Sequence, residues 1–166
     1  MRQIKIFASI VFFLAFISGA SAQLRLGAGM GFGFDVEEFS AFVRGAYDFT
    51  DQWRANATFN YYFIGEDDGT SIDLNLFDIN LDGHFTFAQP ATIDVYAIGG
   101  LNIGISSVDA PIVGKSSDTE IGLNLGAGAN FGVADNADIV TEFKYTIGGF
   151  DQLFFAAGVL FKFGGN

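Results

Sequence analysis

The residue of this chain with the greatest catalytic potential is His84, the only histidine. Asp82 lies two positions earlier, and side chains at this spacing in a β-strand point to the same face. Asp82 could therefore orient His84 as a general base. A nucleophile would also be needed, and the candidate serines fall in a predicted long loop: Ser106, Ser107, Ser116 and Ser117. We therefore favour a hydrogen-bonded interior histidine over a catalytic one.

Charged residues of both signs recur on the same strand phase as His84. Four of them are predicted to lie about halfway along their strands: Arg44, Asp78, Glu142 and Lys144. Because isolated buried charges are costly, these side chains should pair, and we predict an ionic network that acts as a gate. The alternative is neutralisation of charge without gating. The other polar residues on this face are Arg25, Asp48, Arg54, Asp82, His84, Asp94, Glu120 and Lys162.

Two further motifs are weak evidence for a binding site. The glycines of Gly27–Gly33 recur at every second position, whereas a phosphate-binding loop needs a strand, a glycine turn and then a helix. The acidic turn Glu66–Gly69 lacks the twelve-residue spacing of a calcium loop, so we interpret it as a solvated turn. The sequence therefore predicts no metal site and no cofactor.

The elements that position the charged residues follow from a strict alternation of residue types. In Leu24–Phe34, large apolar residues alternate with glycine or charge, which is the period of a β-strand. The face that carries glycine and charge has too little apolar volume to form a core. The apolar face must therefore contact another medium, and lipid is the natural candidate.

Segments with this alternation recur along the chain, and each is long enough for a tilted membrane strand of about 9–11 residues. Polar turns separate them, which favours antiparallel neighbours. Because open sheet edges are not tolerated in hydrocarbon, the sheet should close. We predict an all-β protein, an eight-stranded antiparallel up-and-down transmembrane β-barrel. The segments are Leu24–Phe34, Phe39–Phe49, Trp53–Ile64, Ile72–Phe87, Thr92–Ser106, Thr119–Val133, Asp138–Gly148 and Gln152–Phe163.

The lengths of the connections predict the orientation of the barrel. The two longest connections, around Glu66 and over Val108–Asp118, fall on one side, so the short turns and both termini are assigned to the periplasm. The phase of the alternation changes near Leu76, where we predict a β-bulge. Aromatic residues near the strand ends predict two interfacial girdles: Tyr47, Phe49, Trp53, Tyr61, Phe63, Phe87 and Phe163.

The N-terminal segment has the features of a cleavable export signal. Arg2 and Lys5 precede the apolar run Ile6–Ile17, and Ala20–Ala22 supplies a small-residue cleavage pattern. We predict a signal peptide over residues 1–22 and a barrel domain over residues 23–166. The chain contains no cysteine, which is compatible with a bacterial envelope protein. Its net charge of -11 disfavours nucleic acid as a partner.

The chain after the signal resembles the small, porin-like outer-membrane β-barrel family of Gram-negative bacteria. The pieces that carry the resemblance are Tyr47–Trp53, Tyr96–Gly104, Glu142–Tyr145 and Phe155–Val159. The resemblance implies insertion into the cell outer membrane by the barrel assembly machinery, after delivery by periplasmic chaperones. Many members end on an aromatic residue, whereas Phe163 is followed here by further residues.

We expect an integral outer-membrane barrel with a structural or porin-like role, no enzyme activity, and a narrow lumen largely closed by charged residues. One alternative is an enzyme that modifies outer-membrane lipid, of the lipid A acyltransferase or deacylase type. A second is a soluble lipocalin-like carrier, which would need an apolar interior. The expected partners are outer-membrane lipids, lipopolysaccharide and the assembly factors, with no nucleic acid, and we expect a monomer.

Overall fold

The computed structural model describes residues 23–65, 73–110, 114–149 and 151–164. The predicted signal peptide and the acidic turn Glu66–Gly69 lie outside these ranges. Within them, no helix is long and apolar enough to cross a membrane. The strands are β1 (Gln23–Gly33), β2 (Glu38–Asp48), β3 (Trp53–Tyr62), β4 (Asp73–Ala88), β5 (Ile93–Ala110), β6 (Gly114–Ala134), β7 (Ala137–Ile147) and β8 (Gln152–Phe163).

The strands form one closed barrel in which every strand is antiparallel to its neighbours. Closure comes from β1, which pairs with β2 on one side and with β8 on the other. Arg25 of β1 lies opposite Lys162 of β8, so the start and the end of the barrel share one end, here called the terminal end. The other end is called the loop end. The predicted eight-stranded antiparallel barrel is confirmed.

The two faces of the sheet have opposite chemistry, as the alternation predicts. Outward side chains are apolar and exposed, for example Ile121 at 67% and Phe143 at 53%. The inward positions next to them carry polar side chains that are almost fully buried, including Glu142 at 4%. A soluble carrier would need the reverse arrangement, with an apolar interior and a polar exterior.

An aromatic row crosses the seam where the barrel closes. Phe32 of β1 lies opposite Phe39 of β2 and Phe155 of β8, and Phe155 lies opposite Phe143 of β7. The ring centroids are 5.0 Å apart for Phe32 and Phe39, and 4.9 Å apart for Phe143 and Phe155. Such cross-strand aromatic pairs each contribute about 0.2–1 kcal/mol. The two ring contacts therefore stabilise the pairing of β1 with β2 and of β7 with β8, on either side of the seam.

The predicted loop over Val108–Asp118 is wrong, because β5 and β6 continue through most of it. Val108 lies opposite Ser116, and the backbone pairing extends to Ala110 and Gly114. Residues 111–113 lie outside the described ranges. The sequence predicts a loop here because regular alternation is lost around Pro111 and Gly114 and gives way to the polar run Lys115–Asp118. Beyond the hydrocarbon both faces of a strand can contact water, so alternation is no longer required there.

The predicted bulge near Leu76 is also wrong. Leu76 lies in continuous register between Tyr62 and Ser106 and points inward, where it packs with Phe42, Tyr62 and Phe154. The irregular pairings occur instead at Thr86/Ala88 and at Gly132/Ala134, both near the terminal end. The apparent phase change arises because part of the interior is apolar.

We predict that Gly27→Ala destabilises the barrel by about 1–3 kcal/mol, the usual cost of overpacking. A Cβ atom on Gly27 would overlap the carbonyl oxygen of Val159 and the side chain of Leu160 across the closing seam. Unfolding in urea of the detergent-folded protein measures the effect. Gly45→Ala is the matched control, because its Cβ would meet nothing nearer than Leu26 Cδ2 at 3.8 Å. Equal losses in both variants would contradict the prediction.

Candidate functional site in the barrel interior

A bidentate ion pair crosses the interior between strands that are not neighbours. Arg44 on β2 donates from its two terminal nitrogens to Glu142 on β7, at 2.6 Å to Oε1 and 2.5 Å to Oε2. Arg44 Nε also donates to Thr58 Oγ1 at 2.9 Å, and the Tyr96 hydroxyl donates to Glu142 Oε1 at 2.8 Å. Both charged side chains are almost fully buried. The fork geometry and the extra donors offset their desolvation.

A second pair joins β7 to the opposite wall. Lys144 Nζ donates to Asn80 Oδ1 at 2.7 Å and lies 3.3 Å from Asp82 Oδ2, both on β4. Asn124 on β6 donates to the same two acceptor residues, at 2.8 Å each. The positive charge of Lys144 therefore contacts one carboxylate and one amide oxygen. This second contact ties β7, β6 and β4 together inside the barrel.

Asp78 is held by neutral donors. Asn60 donates to Oδ1 at 2.6 Å, the Tyr62 hydroxyl donates to Oδ2 at 2.8 Å, and Asn80 also donates to Oδ1. No Lys or Arg of the described ranges lies within ion-pair distance of this carboxylate. Asp78 is linked to Lys144 only through Asn80, which accepts from one and donates to the other.

The structure therefore brings the four residues of the predicted network into one region but pairs them differently from expectation. Arg44 pairs with Glu142, whereas Lys144 pairs with Asp82 and Asp78 binds amide and phenol groups. Sequence reasoning missed the neutral members, because a buried Asn or Tyr looks unremarkable on a polar face. Their shared phase with the charges was the available signal.

Interior glycines make room for these side chains. A Cβ on Gly126 would overlap the backbone of Lys144, and one on Gly100 would overlap Asp82. A Cβ on Gly128 would meet the ring of Tyr96. Each of these glycines lies directly opposite the bulky residue on the neighbouring strand, so the close approach is local to one strand pair.

A separate ionic cluster lies at the terminal end. Arg25 bridges Asp48 at 2.7 Å and Asp138 at 2.5 Å, and Arg54 pairs with Asp48. Lys162 reaches Asp138 at 2.7 Å. Asp138 was not among the predicted interior residues, although it shares the strand phase of Glu142 and Lys144. Asp48 and Asp138 each pair with two cationic side chains, which satisfies more of their lone pairs than a single partner would.

His84 is buried and does not form the base–orienter pair with Asp82 that was weighed against an interior histidine. Its ring stacks on Tyr96 with centroids 4.5 Å apart, and Nε2 lies 3.9 Å from Glu142 Oε1. Neither ring nitrogen has a hydrogen-bond partner among the described residues, which differs from the hydrogen-bonded histidine favoured by the sequence. Asp82 is engaged instead by Lys144 and Asn124. His84 therefore stacks on the Tyr96 ring instead of forming a polar contact, and strand phase alone does not reveal this stacking.

The remaining predicted residues lie nearer the barrel ends. Asp94 and Glu120 are half-buried, and Asp94 accepts from Gln89 Nε2 at 3.2 Å. The aromatic residues predicted as girdles have outward positions, and Tyr47 is half-buried while the others are exposed: Phe49, Trp53, Tyr61, Phe63, Phe87 and Phe163.

The interior also contains apolar clusters that sequence reasoning did not anticipate. One lies toward the loop end and combines Phe42, Tyr62, Leu76, Phe154 and Ala156. The other lies toward the terminal end and combines Tyr96, Ile98, Val140 and Leu160. The Arg44–Glu142 pair is therefore flanked by apolar side chains on the same inner wall. In the part of the chain that is described, no group of His, Cys, Asp and Glu has the arrangement of a metal site.

Comparison with known families decides the assignment. Residues 7–163 match the family described as "Outer membrane protein beta-barrel domain". The chain belongs to this family. This membership places the protein in the outer membrane, with its apolar outer wall embedded among the lipids. No curated protein sequence is significantly similar to the chain.

Solved structures share the fold at low sequence identity. The attachment invasion locus protein Ail of Yersinia pestis is 16% identical, with 86% of this chain and 97% of that chain covered and a TM-score of 0.62. The N-terminal barrel domain of Pseudomonas aeruginosa OprF is 17% identical, with coverage of 85% and 97% and a TM-score of 0.64. Neisserial surface protein A is 20% identical, with coverage of 86% and 96% and a TM-score of 0.62. These likenesses concern the fold.

We predict strong coupling between Arg44 and Glu142. Arg44→Met and Glu142→Gln should each cost about 3–5 kcal/mol, because each leaves one buried group without its partner. The double variant should cost clearly less than the sum of the two. Urea unfolding of the four proteins in one detergent measures the cycle. Additive losses would show that the pair has no mutual stabilisation.

A second prediction separates His84 from Tyr96. His84→Phe should change the free energy of unfolding by less than about 1 kcal/mol, because no hydrogen bond is lost. Tyr96→Phe should cost about 1.5–3 kcal/mol, because Glu142 loses a donor to its charged form. The same unfolding assay compares them. A larger loss for His84→Phe than for Tyr96→Phe would contradict the contacts described above.

Proposed function

We propose that this protein is an outer-membrane barrel with a structural or porin-like role, whose narrow lumen is largely closed by interior charged residues. The supporting observation is that Arg44–Glu142 and Lys144–Asp82 connect β7 with β2 and β4 across the interior. Because these pairs join strands on different sides of the barrel, they occupy space through which a solute would pass.

In this proposal Arg44, Asp78, Glu142 and Lys144 belong to the gate. A hydrated ion would have to separate at least one buried pair, and a separated buried charge is unfavourable. The apolar cluster of Phe42, Tyr62, Leu76 and Phe154 adds a second obstacle toward the loop end, since apolar constrictions in channels also restrict water and ions. Opening therefore requires both polar and apolar contacts to rearrange.

We also propose that the protein is not an enzyme. His84 lies on the inner wall, stacked on Tyr96, and its ring nitrogens form no hydrogen bond with a serine among the described residues. An enzyme that acts on membrane lipid would need its base and nucleophile where an acyl ester can reach them. The proposed partners are lipopolysaccharide around the barrel, and periplasmic chaperones and the barrel assembly machinery during biogenesis. The proposed functional form is a monomer, and a net charge of -11 argues against nucleic acid.

Single-channel recording in planar bilayers tests the gate. The wild-type protein should show rare openings, and Glu142→Gln should open more often, because it removes the charge that holds Arg44. Each 1.4 kcal/mol lost from the closed state raises the open population about tenfold. Lys162→Met is the matched control, since it removes an ion pair of the terminal-end cluster instead.

Two results would contradict parts of the proposal. A wild-type protein that conducts continuously would show that the lumen is not closed. An inserted protein that never conducts, in wild-type or variant form, would remove the porin-like role and leave a structural barrel.

A further inference from the structure

The outer wall of the barrel carries a groove of about 560 Å³ near the terminal end. Small residues form its floor, and larger apolar residues border it: Gly45, Ala55, Ala57 and Gly83, with Leu24 and Leu81 at the sides. Gly45 lies opposite Ala57 and Ala55 lies opposite Gly83, so the floor crosses β2, β3 and β4. These residues have the outward phase of their strands, so the groove opens to the membrane.

The glycines of the floor are not required by close packing of the barrel itself. A Cβ on Gly45 would meet its nearest atom at 3.8 Å, and one on Gly83 would meet its nearest atom at 3.6 Å, both ordinary contact distances. Interior glycines such as Gly27 differ, because a Cβ there would overlap the neighbouring strand. Glycine weakens a strand when nothing requires it. Packing within the barrel therefore does not explain why the residues of the floor are so small.

The groove is continuous with the lipid-facing wall, which is the established interface of the barrel with the membrane. Its neighbours on that wall are apolar and exposed, including Leu24 at 45% and Leu81 at 48%. Asn56 and Asp82 border the groove, but their side chains are buried in the interior. An occupant therefore meets no charge. An apolar cavity of about 150 Å³ already holds benzene, so this groove has room for a longer hydrocarbon.

A second copy of the chain would fill the groove poorly. A two-fold interface places the same patch of both subunits face to face. Two facing grooves would leave a void between the barrels, and a void loses the dispersion contacts of its lining. A flexible hydrocarbon chain can follow the floor across the three strands and restore those contacts.

We propose that the groove is a binding site for one acyl chain of a phospholipid in the periplasmic leaflet. The leaflet follows from position, because Tyr47 and Ala55 lie beside the β2–β3 turn at the terminal end, and the short turns at this end face the periplasm. The site is independent of the interior network, so it neither requires nor excludes a gate.

Trp53 is a natural reporter of this site, because it is the only tryptophan and lies outward, two positions before Ala55 on the same face. We would purify the full protein from outer membranes and reconstitute it in phosphatidylcholine vesicles with brominated acyl chains, which quench tryptophan on contact. Because Trp53 also faces the surrounding membrane, bulk lipid quenches every variant. The filled variant Gly45→Val/Ala57→Leu should lose only the additional quenching that the wild type shows at a low fraction of brominated lipid. Ala127→Leu on β6 is the matched control, an outward small residue away from the groove, and should be quenched like the wild type.

Native mass spectrometry of the same preparations provides the second measurement. The wild type and Ala127→Leu should each retain one phospholipid, and the filled variant should retain none; Ala57→Leu alone should retain it partially. Equal quenching and retention in all variants would overturn the proposal. Retention of lipopolysaccharide instead of phospholipid would overturn the assigned leaflet. A wild-type dimer that the filled variant separates would overturn the choice of occupant.

Discussion

The pairing of β1 with β8 is the constraint on which the rest of the molecule depends. In hydrocarbon there is no water to satisfy a free strand edge, so the sheet must return to its first strand. Gly27 lies at this seam, directly opposite Leu160 and without room for a side chain. Outside, Phe32 and Phe155 continue an aromatic row across the same seam. Closure also creates the interior in which the charged residues must find partners.

That interior is stabilised by contacts between strands that are far apart around the barrel. Arg44 and Glu142 face each other because closure brings β2 and β7 to opposite walls of a narrow space. The charges of Lys144 and Asp82 are compensated in the same way. Glycines such as Gly126 lie opposite the bulky interior residues on neighbouring strands, where a Cβ would overlap the paired strand. The pairing of charges across the interior therefore follows from the narrow width of the barrel, whereas the glycines answer to packing between neighbouring strands.

Particular residues show where sequence reasoning succeeds and where it fails. The outward phase of Phe143 and the inward phase of Glu142 follow from a period of two, which holds wherever one face meets lipid and the other does not. The same rule misread Leu76, because it treats every large apolar residue as outward. The rule also predicts too early an end for β5, because apolar and polar residues no longer have to alternate in a strand that has left the membrane. His84 lies in the interior, as its strand phase predicts, yet its contact with Tyr96 depends on the register of β4 against β5.

Alternation, turn residues and composition were sufficient to predict eight antiparallel strands, their inward and outward faces, and closure. Each of these features depends on residues that are near in the chain or on the medium that one face of the sheet contacts. They could not pair Glu142 with Arg44 or Asp82 with Lys144, which lie on strands that are not neighbours. Those choices depend on the stagger of the strands around the barrel, which sets the height of each interior residue relative to strands that are distant in sequence. Only the tertiary structure gives the height of each interior residue, and this height determines which side chains can pair.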